Sequence, residues 1–152
     1  MGATRRARLE DLYAAIAEGD TAGVREVLDR DPDLVGASRK TPPPLHWAIY
    51  HNRPRVVELL LDAGADIGLP DPDRDATPLE YTVVYARRRI IRLLAARGAD
   101  VRSGLPVALK GAGGGFTEFA ELPSRAEYEA VATLLGELPG PEGPSAGPAA
   151  TR

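Results

Sequence analysis

The chain contains no cysteine, and only 5% of its 152 residues are aromatic. The lack of cysteine excludes disulfides, thiolate catalysis and metal sites with cysteine ligands. The low aromatic content predicts a core built mainly from Ala, Val, Ile and Leu. Apolar residues still make up 43% of the chain, which is enough for one globular domain with a sizeable core.

Long apolar runs are missing as well, and so is an excess of basic charge. No run approaches the length that spans a membrane, and no apolar stretch of the kind found in signal peptides follows the arginines near the N-terminus. We therefore expect a cytoplasmic protein. The net charge of −3 disfavours general nucleic-acid binding, which needs a basic face. The arginine-rich composition, with much Ala, Gly and Pro, suggests a bacterial source.

The chain does contain an internal repeat. PPLHWAIYHNRPRVVELLLDAGADI at 43–67 aligns with TPLEYTVVYARRRIIRLLAARGADV at 77–101, so that Leu45 matches Leu79 at an offset of 34 residues. A fainter earlier copy includes Leu12. Repeats of this length are typical of stacked helical units.

Each copy predicts two short helices. Pro54 and Pro78 stand where a helix begins, and Gly98 follows a helix at the position that favours a left-handed conformation. The spacing of a capping box, Ser or Thr followed three residues later by Glu, occurs at Thr77/Glu80 and at Ser124/Glu127.

These units resemble ankyrin repeats, through Pro-Leu-His at 44–46, Thr-Pro-Leu at 77–79, the paired Val/Ile and Leu runs, and both Gly-Ala-Asp triplets. The resemblance implies an all-α solenoid of three repeats with a degenerate C-terminal capping repeat. Asn52 and Ala86 replace the usual glycine before the second helix, which we expect to loosen local hydrogen bonding. The expected organisation is a flexible arm at 1–8, repeats at 9–40, 41–74, 75–104 and 105–138, an insertion at 111–123 within the last repeat, and a disordered tail at 139–152.

The stretch GAGGGFTEF at 111–119 raises the question of a phosphate-binding loop. Such loops follow a strand and, in the P-loop, continue with Lys-Ser or Lys-Thr, whereas here Phe116 follows the glycines and the nearest lysine, Lys110, precedes them. We instead expect a flexible insertion whose Phe116 and Phe119 cover the end of the stack.

The segment DPDRD at 71–75 spaces three aspartates as a calcium loop does. The glycine and the bidentate acid that such a loop also needs are replaced by Ala76 and Thr82. We therefore expect a solvated acidic finger and no metal site.

The two histidines, His46 and His51, point in different directions if they share a helix, so they do not form a metal site. The resemblance implies that the His46 ring bonds to the backbone of a neighbouring turn. His46 and Glu80 hold equivalent positions in adjacent repeats, which would bring them close enough for acid–base chemistry. No nucleophile accompanies them, and we expect neither catalytic residues nor a cofactor.

In the ankyrin family, partners usually dock on the concave face formed by the inter-repeat fingers and the first helices. Tyr50 and Tyr85 are the most prominent candidates, because an exposed tyrosine combines a large contact area with a polar tip; the alternative is that both pack against their own scaffold. Trp47 and Tyr81 are expected inside the stack. The predicted partner-binding residues are Arg39, Lys40, Tyr50, His51, Asp73, Arg74, Asp75, Val84 and Tyr85.

Arginines recur at equivalent positions in two repeats and predict a basic ridge. The ridge could hold an acidic peptide or a phosphate group, or it could be a solvated face balanced by nearby acids such as Glu58. Its members are Arg53, Arg55, Arg87, Arg88 and Arg89.

Together these features predict a monomeric, non-enzymatic module that binds another protein. The alternative is an enzyme or small-molecule binder with a pocket near His46, Glu80 and the insertion at 111–123.

Overall fold

A computed structural model describes residues 4–37, 42–116 and 121–140. Within these ranges the chain forms eight α-helices and two short 3₁₀ helices and contains no strand. The predicted all-α class is therefore confirmed. The chain divides into two compact units, residues 1–78 (unit 1) and 79–152 (unit 2).

Unit 1 contains two helix pairs. In α1–α2 and in α3–α4 the two helices pack on each other, and α1 also packs on α3 and α2 on α4. Aliphatic side chains such as Leu12, Ile49 and Leu60 are completely buried between the helices. The elements are α1 (Arg5–Glu18), α2 (Thr21–Arg30), a 3₁₀ helix (Pro32–Gly36), α3 (Pro44–Tyr50) and α4 (Pro54–Asp62).

Unit 2 begins one residue into its first helix and contains the last four helices. Its core includes Ile90, Ile91, Leu94 and Val131, and it ends with a helix pair, α7–α8, in which Leu135 and the ring of Tyr128 lie against α7. The elements are α5 (Pro78–Val84), α6 (Arg88–Ala96), a 3₁₀ helix (Val101–Ser103), α7 (Gly104–Ala112) and α8 (Arg125–Glu137).

The first helix of each of the three repeats ends in a left-handed residue. Gly19, Asn52 and Ala86 have φ angles of 74°, 55° and 51°. At all three ends the left-handed residue donates its N–H to the carbonyl three residues back, and the next residue donates to the carbonyl five residues back. The expectation that Asn52 and Ala86 loosen hydrogen bonding is therefore wrong. They keep the bonds and adopt a conformation that glycine would hold with less strain.

The second helices of the middle repeats end as the sequence predicts. Gly98 has a φ of 91°, and its counterpart Gly64 has a φ of 100°. Pro54 and Pro78 open α4 and α5 at the expected places. These signals are local, which explains why the sequence alone locates the helices.

The N-terminal arm is shorter than expected. Helix α1 begins at Arg5, because the Thr4 side chain accepts the N–H of Ala7 at 3.2 Å. Arg5 and Arg8 both lie 3.5 Å from the carboxylate of Asp31. The prediction of a flexible arm is thus wrong for residues 4–8, and residues 1–3 lie outside the described part.

The predicted insertion also begins later than residue 111. Helix α7 continues through Ala112, and Gly111 lies buried against the Tyr128 ring. The Ser124/Glu127 capping box that starts α8 is confirmed, with hydrogen bonds of 2.7 and 3.3 Å. The end of the insertion, residues 117–120 with Phe119, and most of the predicted disordered tail, residues 141–152, lie outside the described residues.

Candidate functional site

Four aromatic side chains gather on one side of unit 1, and we call them the aromatic face. Trp47 and Tyr50 come from α3 and His51 is its C-cap residue, and their spacings of three and four residues place the side chains on one side of the helix. Tyr13 comes from α1. The Trp47 and Tyr50 rings stack at 10° with centres 5.5 Å apart, while the centre of the Trp47 ring lies 5.9 Å from that of Tyr13 and 4.4 Å from that of His51.

Backbone carbonyls fix two of these rings in place. The indole N–H of Trp47 donates to the carbonyl of Tyr13 at 3.1 Å, and the Tyr13 hydroxyl donates to the carbonyl of Pro42. Trp47 is half-buried, so the prediction that it lies inside the stack is confirmed only in part. Tyr50 is 41% exposed, which confirms its predicted outward position.

His46 has the structural role that the resemblance implied. It is 1% exposed, and its Nε2 lies 2.9 Å from the carbonyl oxygen of Ala76. Because a carbonyl only accepts, Nε2 carries the proton. Burial lowers the pKa of His46, against the opposing effects of the Ala76 carbonyl and the Asp71 charge. The neutral ring therefore ties α3 to the end of the finger.

The finger at 71–76 is organised around Asp71, which is 1% exposed. Its carbonyl accepts the N–H of Asp75 at 2.7 Å, and its Oδ1 accepts the N–H of Asp73 at 2.9 Å. The prediction of a fully solvated finger is therefore wrong for Asp71, which closes the turn from inside. Asp73, Arg74 and Asp75 are exposed. Among the described residues no group of three His, Cys, Asp or Glu side chains is placed to hold a metal ion.

Two predicted contact residues lie in unit 2: Tyr85 is partly accessible, whereas Val84 is buried. Tyr85 is half-buried, its ring centre lies 5.2 Å from that of Tyr81, and the Arg87 guanidinium lies 5.9 Å from the centre of the Tyr85 ring. Val84 is only 8% exposed, so its predicted place on an exposed surface is wrong. Its carbonyl accepts the Tyr128 hydroxyl at 2.7 Å. Tyr81 is 4% exposed, as expected of a residue inside the stack.

Comparison with known families accounts for this combination of paired helices, fingers and a bonded histidine. The family model for ankyrin repeats (3 copies) matches residues 12–104. The chain belongs to the ankyrin-repeat family. Ankyrin repeats are generally protein–protein interaction modules and are typically non-enzymatic. The match ends at the first residue of α7, where the sequence departs from the motif.

Arg53, one of the arginines of the predicted basic ridge, has a structural role. Arg53 donates from Nε and Nη2 to the carbonyl of Ala17, at 3.0 and 2.7 Å, and so completes the C-terminal end of α1. Its membership of a binding ridge is therefore corrected to a structural role. Arg55, Arg88 and Arg89 are exposed.

The glycine stretch that follows the matched repeats forms part of a cavity of about 380 Å³ in unit 2. Phe116 contributes to its wall and is half-buried, with its ring centre 5.9 Å from that of Tyr128. The glycines end helix α7, whereas phosphate-binding loops lead into the start of a helix. The lining residues are Gly111, Ala112, Gly113, Gly114, Phe116, Leu122, Pro123, Arg125 and Tyr128.

Each described helix is too short or too polar to cross a bilayer. Of the predicted partner-binding residues, Arg39 and Lys40 lie outside the described part. Those that the structure describes on the surface of unit 1 are Tyr50, His51, Asp73, Arg74 and Asp75.

Proposed function

We propose that this ankyrin-repeat protein is a non-enzymatic module that binds another protein through the concave surface of its repeats. The observation that carries the proposal is the aromatic face of unit 1, with Tyr50 41% exposed beside Trp47. Trp and Tyr are the residues in which binding energy concentrates at protein interfaces. The other proposed contact residues are Asp73, Arg74 and Asp75 in unit 1 and Tyr85 in unit 2, and Arg39 and Lys40, outside the described residues, remain predicted contacts. A cytoplasmic location and a monomeric state remain predictions.

The rigidity of the aromatic face supports this function. Trp47 and Tyr13 are held by hydrogen bonds to backbone carbonyls, so little side-chain freedom is lost when a partner docks. His46, the residue on which a catalytic alternative depended, is buried and bound to the Ala76 carbonyl. A neutral histidine engaged in this way is poorly placed to exchange protons with a substrate.

The test is affinity capture with the wild type and with a Tyr50→Ala/Tyr85→Ala variant from a lysate of the source organism. We expect specific partners with the wild type and at least tenfold less of them with the variant, because truncating two interface tyrosines removes hot-spot contacts. A Leu69→Ala variant is the control, since Leu69 is 43% exposed outside the aromatic face. Equal recovery by all three proteins would contradict the proposed surface.

A second candidate function, binding of a small molecule, is favoured by the cavity in unit 2. Its volume of about 380 Å³ falls in the range of ligand sites, and Phe116, Leu122 and Pro123 give it apolar walls. Thermal-shift measurements against a metabolite panel test this function. A ligand that raises the melting temperature of the wild type, but not that of an Ala112→Phe variant with wild-type helicity, would support it.

A further inference from the structure

The acidic residues of the chain are unevenly distributed. Unit 1 has fourteen acidic and ten basic residues, a net charge of −4, whereas unit 2 has eight acidic and nine basic residues, a net charge of +1. Helix α3 and its C-cap residue His51, which supply three of the four rings of the aromatic face, contain no Asp, Glu, Lys or Arg. These residues add no charge to the aromatic face, and the net negative charge of unit 1 as a whole attracts positive charge.

The chemistry of the rings narrows the type of partner further. The indole N–H of Trp47 and the Tyr13 hydroxyl are already bound to backbone carbonyls of unit 1. Grooves that bind proline-rich peptides use such hydrogen-bond donors as well as ring surfaces. In this patch, these two donors already bind backbone carbonyls. What the patch mainly presents to a partner is the π surface of its rings. The face of an aromatic ring is negative and attracts cations, and the tryptophan ring attracts them most strongly.

We propose that the aromatic face binds an arginine- or lysine-rich segment of the partner protein. A cationic side chain rests on the rings of Trp47 and Tyr50, and the negative charge of unit 1 attracts the segment. This inference rests on the proposed protein-binding function and adds the chemistry of the partner. Charge complementarity of this kind raises association rates and weakens with salt.

Trp47 is the single tryptophan of the chain, so its fluorescence reports directly on the proposed site. The experiment titrates the full-length protein with octa-arginine, octa-glutamate or octa-proline and follows the tryptophan emission. We expect a saturable change with octa-arginine that weakens as the salt concentration rises, and no saturable change with the other two peptides. A response to octa-proline or octa-glutamate at equal or lower concentration would overturn the proposal.

Two substitutions at Tyr50 separate a cation–π contact from general attraction to an acidic protein. Tyr50→Phe keeps the aromatic ring, and Tyr50→Leu keeps the apolar bulk without it. We expect the Kd for octa-arginine to stay within about twofold for Tyr50→Phe and for the control Leu69→Ala, and to rise about tenfold for Tyr50→Leu. Equal Kd values for the Phe and Leu variants, with wild-type circular dichroism, would overturn the proposal.

The capture and fluorescence experiments distinguish protein binding in general from binding of a basic segment. If the Tyr50→Ala/Tyr85→Ala variant loses captured partners while octa-arginine leaves Trp47 emission unchanged, protein binding stands and the basic-segment proposal is wrong. If octa-arginine binds as expected but capture does not depend on the tyrosines, the aromatic face binds cations and the proposed partner surface lies elsewhere.

Discussion

The helix pairs α3–α4 in unit 1 and α7–α8 in unit 2 are stabilised by different kinds of contact. In the first pair, polar side chains reach backbone carbonyls: His46 reaches Ala76, Trp47 reaches Tyr13, and Arg53 reaches Ala17. In the second pair, Gly111 brings the backbone of α7 against the Tyr128 ring. The stability of the α3–α4 repeat, which matches the ankyrin motif, is thus sensitive to the loss of polar groups. The stability of the degenerate α7–α8 repeat is sensitive to added atoms.

The largest expected effect comes from adding one carbon atom in the degenerate pair. A Cβ at Gly111 would lie 2.6 Å from two carbons of the Tyr128 ring, which is buried and held by its bond to the Val84 carbonyl. We expect Gly111→Ala to lower the free energy of unfolding by about 1–3 kcal/mol, measured by urea denaturation, because neither group can move away.

Gly136 of α8 provides the matched control for that substitution. A Cβ there would meet nothing within 4 Å. Alanine is the better helix former, so Gly136→Ala should leave stability unchanged or raise it by up to about 1 kcal/mol. If Gly111→Ala is as harmless as Gly136→Ala, the close approach of α7 to Tyr128 is not what holds this pair.

The next largest effect is expected when a polar contact of the α3–α4 repeat is removed. Arg53→Met keeps a long apolar stem but removes both hydrogen bonds to the Ala17 carbonyl. We expect a loss of about 1–2 kcal/mol in the free energy of unfolding, since a charged donor is removed from a half-buried carbonyl. Arg55 is exposed two residues away, and Arg55→Met should change stability by no more than about 0.5 kcal/mol. Equal losses for the two variants would contradict the structural role of Arg53.

The smallest expected effect is a dependence of stability on pH through His46. Burial lowers the pKa of His46 in the folded protein below its ordinary value of 6.5. As pH falls below 6.5 the unfolded chain takes up the proton first, so the free energy of unfolding decreases until the folded pKa is passed. Well above pH 6.5 the ring is neutral in both states, and this contribution is fully present.

Denaturant unfolding between pH 7.5 and 5.0 measures this dependence. The decrease should be smaller in His46→Gln than in the wild type. An unchanged slope in His46→Gln would show that other groups account for the pH dependence. The wild-type comparison is needed because the carboxylates of the chain also begin to titrate in the lower part of this range.

The features that the sequence predicted correctly depend on local signals. Pro54 and Pro78 begin helices, Gly98 ends one, and Ser124 with Glu127 forms a capping box, because each of these requirements involves only a few neighbouring residues. The repeat spacing then aligned the helices. It also identified the bond of His46 through the family resemblance.

The features that the sequence did not reveal depend on long-range contacts. Tyr50 and Val84 both stand five residues after a motif leucine, yet Tyr50 is 41% exposed and Val84 is 8% exposed. Position along a helix fixes a direction, whereas exposure also depends on side-chain length and on what packs nearby. Arg53 and Gly111 were misjudged for the same reason, since their partners lie 36 and 17 residues away.

The bond from Arg53 to Ala17 also bears on the order in which the chain can fold. The end of α1 is completed by a side chain that leaves the ribosome 36 residues after the carbonyl it binds. A fragment that stops before Arg53 would contain every residue of α1 and α2 and still lack this closing contact. The end of the first repeat is therefore completed by a residue of the second, and a stretch of unit 1 that contains this contact must reach at least Arg53, the residue before α4.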